Sequence, residues 1–189
     1  PKLSLTRFRD YGPLVYFTAS KGYEPGGFNM TSLTGSTGLL GFEKEEATSF
    51  EIGLKGRSED GKTSYSLAAF SIAYDSRQVE YHVDQGEEGI VEGIINMGDS
   101  EQSGLEVDLT HRVSDFLNIS FSAGWVDAEW KDGAVAGGVD LGGKTPPVVP
   151  SSGVNLTADY LKPTNNGNNL AASFQLSKTG SYEGLQAWD

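Results

Sequence analysis

Apolar and polar side chains alternate along much of this 189-residue chain, the repeat of a strand with two unlike faces. From Gly104 to Thr110, Leu105, Val107 and Leu109 fall on one face, and Glu106 and Asp108 on the other. From Leu117 to Trp125, Ile119, Phe121 and Ala123 alternate with Asn118, Ser120, Ser122 and Gly124. Phe50, Ile52 and Leu54 oppose Ser49, Glu51, Gly53 and Lys55. Val154 to Tyr160 and Leu170 to Ser177 repeat the pattern. Helical spacing fits none of these runs as well. Pro1–Phe8 and Leu14–Tyr23 read as a hairpin. Residues 62–83 read as one long strand with Phe70, Ile72 and Tyr74 on one face, and 90–110 as its return partner. The phase slips within the long strand, because Val79, Tyr81 and Val83 take the opposite parity. A slip of this kind predicts a bulge or an exit from a membrane. The total is about eight antiparallel strands in a meander.

The connections alternate in length. Those near 9–13, 57–61, 112–116 and 161–168 are short and carry the Asp, Gly, Pro and Asn of tight turns. Those near 24–46, 84–89 and 132–148 are long and rich in Gly, Ser, Thr and acids. Short turns at one end and long loops at the other are the arrangement of outer-membrane barrels, the short turns being periplasmic.

Alternation alone balances two architectures, a soluble antiparallel sandwich and a transmembrane barrel. Three features favour the barrel. Several strands exceed the globular mean of about 5–6 residues. Aromatics (Tyr16, Phe17, Tyr23, Phe50, Tyr65, Tyr74, Trp125, Trp130, Tyr160 and Tyr182) gather near strand ends, as interfacial girdles do. Neither face has the dense large-apolar content that a sandwich core would bury. The expected fold is therefore all-β, an antiparallel up-and-down transmembrane barrel.

Composition narrows the function. A formal charge of −12 argues against a nucleic-acid partner. No stretch approaches the ~18 apolar residues of a spanning helix, which leaves strands as the means of crossing a bilayer. Absence of Cys removes disulfide scaffolds and thiol chemistry. His82 and His111 lie far apart and lack metal-ligand spacing. No nucleophile elbow, phosphate loop or dinucleotide fingerprint occurs. The acids Asp84, Glu87, Glu88 and Glu92 around Gly86 and Gly89 do not match a calcium loop and read as a solvated external loop. No catalytic residue, metal or cofactor is expected, and the chain does not read as an enzyme.

Four segments resemble one family. Ser20-Lys21-Gly22-Tyr23 runs into Pro25-Gly26-Gly27-Phe28-Asn29, similar to the signature strand and loop of TonB-dependent receptor barrels. Phe50-Glu51-Ile52-Gly53-Leu54-Lys55-Gly56 is similar to the strand that follows it there. Ala68 to Asp75 and the stretch Asn96 to Val107, with Gly98, Gly104 and Glu106, resemble the next two. The four blocks stand in the family's order across most of the chain.

The resemblance implies that these are about eight strands of a 22-stranded barrel in the outer membrane of a Gram-negative bacterium. It implies an importer of a scarce nutrient (siderophore-bound iron, haem, cobalamin or glycan), driven by TonB through a plug domain. Residues 1–189 carry no plug-like segment or TonB box and read as a partial barrel from the C-terminal half. Candidate cargo contacts are Tyr23, Phe28 and Asn29 in the first external loop, with Asp84, Glu87 and Glu88 in the second. Expected partners are outer-membrane lipid, TonB and a small-molecule cargo. Two other readings stay open, a complete eight-stranded barrel of structural or adhesive role and a soluble β-sandwich that binds carbohydrate.

Overall fold

A computed structural model describes residues 1–8, 12–29, 41–84, 90–136 and 138–184, with the backbone alone for 81–84 and 90–92. It contains twelve strands: β1 (Lys2–Arg7), β2 (Leu14–Glu24), β3 (Gly27–Phe28), β4 (Gly41–Phe42), β5 (Glu45–Arg57), β6 (Thr63–Asp84), β7 (Ile90–Arg112), β8 (Leu117–Trp130), β9 (Val135–Ala136), β10 (Val139–Asp140), β11 (Ser152–Pro163) and β12 (Asn169–Thr179). Eight of them form one antiparallel meander, ordered β1-β2-β5-β6-β7-β8-β11-β12, while β3-β4 and β9-β10 are two-residue ladders in the long connections. The sheet is open, with β1 and β12 at its two edges. Among the described residues the only other sheets are these two-residue ladders at the long connections, and none covers the main sheet as a sandwich layer would, which removes the sandwich.

The register joins the alternating runs into two continuous faces. Ile52 stands opposite Ala69, Ala69 opposite Leu105, and Leu105 opposite Trp125. One step along, Leu67, Val107, Ala123 and Val154 form a second row. Leu156, Leu176, Ala158 and Phe174 carry the same face onto β11 and β12. This apolar face is uncovered: Leu105 is 55% and Trp125 49% exposed. The other face carries Glu51, Lys55, Glu106, Asp108 and Asp159. An apolar face without a protein partner belongs against hydrocarbon, and a polar face with charges belongs in a wet lumen. Because only a closed sheet satisfies its backbone in lipid, this sheet is a sector of a barrel wall.

Phe70, Ile72 and Tyr74 lie on the lumen face. Phe70 is directly opposite Gly104, where a Cβ would stand 2.5 Å from Phe70 Cζ and from the Trp125 carbonyl. The glycine of the strand motif thus makes room for a ring on the polar side. Tyr16 and Trp130 also sit on lumen parity, so with Tyr74 they leave the expected girdle. Phe17, Phe50, Tyr65, Trp125 and Tyr160 remain on the apolar face, with Phe17 and Phe50 stacked at 6.4 Å.

The end asymmetry holds for the connections that leave β2 and β8, while the one expected near 84–89 spans only 85–89, as short as the turns at the other end. Residues 9–11 of the first expected turn lie outside the described residues. Short turns join β5 to β6, β7 to β8 and β11 to β12 at one end, and each is closed by its own side chains. Ser58 Oγ donates to Asp60 Oδ1 at 2.5 Å, and Asp60 Oδ1 also accepts the Lys62 N–H at 3.0 Å. Thr164 Oγ1 donates to Asn166 Oδ1 at 2.5 Å. The two long connections leave the opposite end, where the reach of the third comes from its strands, β6 and β7 being 22 and 23 residues. A spanning strand needs about 9–11 residues, so this hairpin projects well beyond the bilayer. The phase slip is a double irregularity between Tyr74 and Gln78, with Ser76 at φ 55°. Below it the ladder follows the membrane wall, and above it the hairpin departs from that wall.

The core of the described residues lies on this projection. Trp130, Leu141, Ala134 and Ala136 of the 131–148 connection and the end of β8 pack on Val79 and Met97, with Ile95 and Val139 against them. Trp130 is 1% exposed. The connection is tied down where the Lys131 N–H donates to the Asp99 carbonyl and the Gly143 N–H to the Trp130 carbonyl, both at 2.9 Å. Gly98, at φ 133°, has no space for a side chain, since a Cβ would sit 2.7 Å from Ala134 Cα.

Candidate functional site at the external mouth

The first long connection is anchored to the projecting hairpin by three amide side chains. Gln78 Nε2 donates to the carbonyls of Pro25, at 3.2 Å, and Glu43, at 2.9 Å. Asn96 accepts the Glu43 N–H at 2.7 Å and donates to the Glu43 and Ser76 carbonyls at 3.0 and 2.7 Å. Asn29 accepts the Ile94 N–H at 2.8 Å and donates to the Ile94 carbonyl at 2.7 Å. That pair of bonds is the one a neighbouring strand would make to Ile94. A carboxamide can supply it because it carries one acceptor and two donors on one plane.

The predicted contacts therefore divide. Tyr23 and Phe28 are 74% and 71% exposed and stand free at the mouth. Asn29 is 7% exposed, with both ends of its amide held by Ile94. Asp84 closes the β6–β7 ladder opposite Ile90, with only its backbone described, while Glu87 and Glu88 lie outside the described residues.

Three residues to which sequence reading gave no place in the site are central here, although Asn96 opens one of the family motifs. Gln78 and Asn96 hold the first loop. Arg77 lies in the double irregularity, with its guanidinium carbon 4.8 Å from the Tyr74 ring centroid and 5.7 Å from that of Trp130. Its Nη1 donates to Ser100 Oγ at 3.1 Å. The phase slip between Tyr74 and Val79 was the available signal, since bulges re-aim side chains. Beside Arg77 a cavity of about 520 Å³ opens, lined by Glu24, Glu45, Tyr74, Arg77, Gln78, Val79, Glu80 and Ile94.

Outside this cavity the mouth carries paired charges. Lys21 and Lys44 both reach Glu46, at 3.2 and 2.9 Å. Lys131 pairs with Glu101, and with Glu129 at 3.7 Å. Glu101 and, less strongly, Glu129 hold the Lys131 ammonium above the usual lysine range. Among the described residues no cluster of His, Cys, Asp or Glu has the arrangement of a metal site.

A meander with a bare apolar face, a polar lumen face and long loops at one end defines an outer-membrane-type β-barrel wall. The chain belongs to the TonB-dependent receptor family: the family's β-barrel model, described as TonB dependent receptor-like, beta-barrel, matches residues 1–187. This is a family of receptors and transporters. Solved structures share the fold. The ferric yersiniabactin uptake receptor FyuA from Yersinia pestis superposes with a TM-score of 0.73 at 18% identity, over 95% of this chain and 25% of that one. The ferric preacinetobactin receptor BauA from Acinetobacter baumannii gives 0.63 at 18% identity, over the same shares. The copper transporter OprC gives 0.65 at 11% identity, over 93% of this chain and 25% of that one. The chain thus spans about a quarter of the length of these structures.

Proposed function

We propose that this chain forms part of the wall and external mouth of an outer-membrane receptor that imports a scarce nutrient, with ferric siderophore as the first cargo to test. The observation that carries the reading is the unbroken apolar face on a single-layer sheet whose other face is charged. Such a sheet is a partition between lipid and a water-filled route. Two of the structural neighbours are named as receptors of ferric complexes, ferric yersiniabactin and ferric preacinetobactin. The copper transporter among them shows the same fold in a protein not named for a siderophore, and haem, cobalamin and glycan are kept as alternative cargoes. In this reading the protein resides in the outer membrane of a Gram-negative bacterium and is energised by TonB through a plug domain supplied by the longer receptor. Tyr23 and Phe28 offer exposed rings to arriving cargo, Asp84, Glu87 and Glu88 are the acidic cargo contacts of the second loop in this reading, and Asn29 shapes the first loop from behind. Glu51, Lys55, Glu106 and Asp108 line the route through the wall.

Uptake of radiolabelled iron tests this directly, in a strain lacking the gene, with growth on haem, cobalamin and glycans measured in parallel. The expected result is loss of uptake for one ferric siderophore, restored by the gene only when TonB is present. Undiminished uptake and growth across the whole panel overturns the reading.

A further inference from the structure

We infer that the cavity at the mouth is a subsite for a zwitterionic group of the cargo, with an anionic oxygen pair on Arg77 and an ammonium between Glu24 and Glu45. This rests on the uptake reading above and names the chemistry the mouth selects.

The cavity carries both signs of charge: Arg77 and Glu80 come from β6, Glu24 from β2 and Glu45 from β5. Among the described residues no carboxylate pairs with Arg77, although Glu24 and Glu45 line the same space. A guanidinium has five N–H donors in a planar fork, and Ser100 takes one of them. The Tyr74 and Trp130 rings hold the plane in place, so the fork is pre-organised for a planar acceptor such as a carboxylate. On the neighbouring strands Glu24 and Glu45 are direct partners across the β2–β5 ladder. Like charges placed opposite one another destabilise a sheet, and a cation between them removes that repulsion. Glu45 is aimed by the Gln78 N–H on its Oε2 at 2.7 Å, while no side-chain contact among the described residues engages the Glu24 carboxylate.

The backbone is shaped to the same end. Ser76 takes a left-handed φ of 55° beside Arg77, in the double irregularity that turns the Arg77 side chain onto the lumen-side rings. Gln78, the next residue, faces the first loop instead. At about 520 Å³ the cavity falls within the usual range of small-molecule sites. It has room for an amino-acid-like headgroup beside Tyr74.

The test uses the intact receptor in outer-membrane vesicles and three probes: a ferric siderophore bearing a free α-amino-acid group, its methyl ester and its N-acetyl derivative. R77A is expected to weaken the parent probe by about tenfold or more, the scale of one charge-assisted bidentate contact, and to leave the methyl ester unchanged. The double variant E24Q/E45Q is expected to weaken the parent probe and leave the N-acetyl derivative unchanged. This pair does not touch the 131–148 connection, so it carries the test even where R77A unseats that loop. Equal weakening of all three probes by E24Q/E45Q, or no weakening of any, overturns the subsite while wild-type uptake stands. Absence of saturable binding of the parent probe to wild type also overturns it. Loss of the underlying reading has its own signature, wild-type receptor that imports no ferric siderophore at all.

Discussion

The membrane wall and the hairpin projecting above it are built from the same two strands, β6 and β7, yet they are stabilised in opposite ways. In the wall, Leu67 pairs with Val107 and Ala69 with Leu105, and Leu67 and Leu105 leave their side chains exposed, because lipid takes the place of a core. Above the irregularity at Tyr74 to Gln78 the strands enter water, where two strands alone are marginal. There the 131–148 connection folds back and buries Trp130, Leu141 and Met97 against Val79. The difference teaches that the surrounding solvent decides where the chain must build an interior. A strand crossing from one solvent to the other changes its packing at the crossing point, and the bulge marks that point.

The sharpest way to break this comparison is to remove the external core alone. Trp130→Ala is expected to cost about 3–5 kcal/mol of loop docking. Hydrogen exchange should accelerate through 131–148 while the heat-modifiable migration of the barrel stays as in wild type. Coupled loss of both would mean that wall and projection are one cooperative unit.

A charge separates the two faces of the wall itself. Val107→Arg, mid-band on the apolar face, is expected to cost about 2–4 kcal/mol, whereas Ser122→Arg on the lumen face costs well under half of that. Urea titrations of barrel folding into lipid vesicles measure both, and equal costs would refute the assignment of faces.

The loop anchor comes next. Asn29→Ala leaves the Ile94 N–H and carbonyl without their partner, an expected loss of about 1–3 kcal/mol. Trypsin cleavage after Lys44 should quicken, with the wall unaffected. Unchanged cleavage would return Asn29 to the pool of cargo contacts.

The smallest effect is expected in the short turns. The Ser58 hydroxyl, and then the Lys62 N–H, hold the Asp60 carboxyl below the usual carboxylate range. A lowered carboxyl stabilises the fold above its ordinary titration range, and the contribution disappears as pH falls through the lowered value. Acidification should therefore loosen the 58–62 turn slightly, and Asp60→Asn should abolish that pH dependence in exchange of the Gly61 and Lys62 amides. A turn that loosens on acidification in the Asn variant too would place the cause elsewhere.

Much of this molecule was legible in the chain itself. The period-two runs define the eight main strands, and connection length marks the two ends except at 85–89, where long strands rather than a long loop make the projection. The slip at Val79 announces the bulge, and the motifs from Ser20 to Val107 identify the family. These are local properties, set by which neighbours along one strand are apolar and by turn chemistry. What a single strand cannot reveal is which of its faces is shared with the next strand. Phe70, Ile72 and Tyr74 form a regular apolar run, and only the pairing of Phe70 with Gly104 assigns them to the lumen. Asn29 lies in the family's loop motif as a ready ligand, and only Ile94, 65 residues away, occupies its amide. Arg77 and Trp130 carry no motif at all, and their meeting depends on a loop folding back over the hairpin. The strands and their ends were determined by the sequence alone; the faces, the anchor and the mouth were decided by long-range register, because that is where side chains distant along the chain come to share one surface.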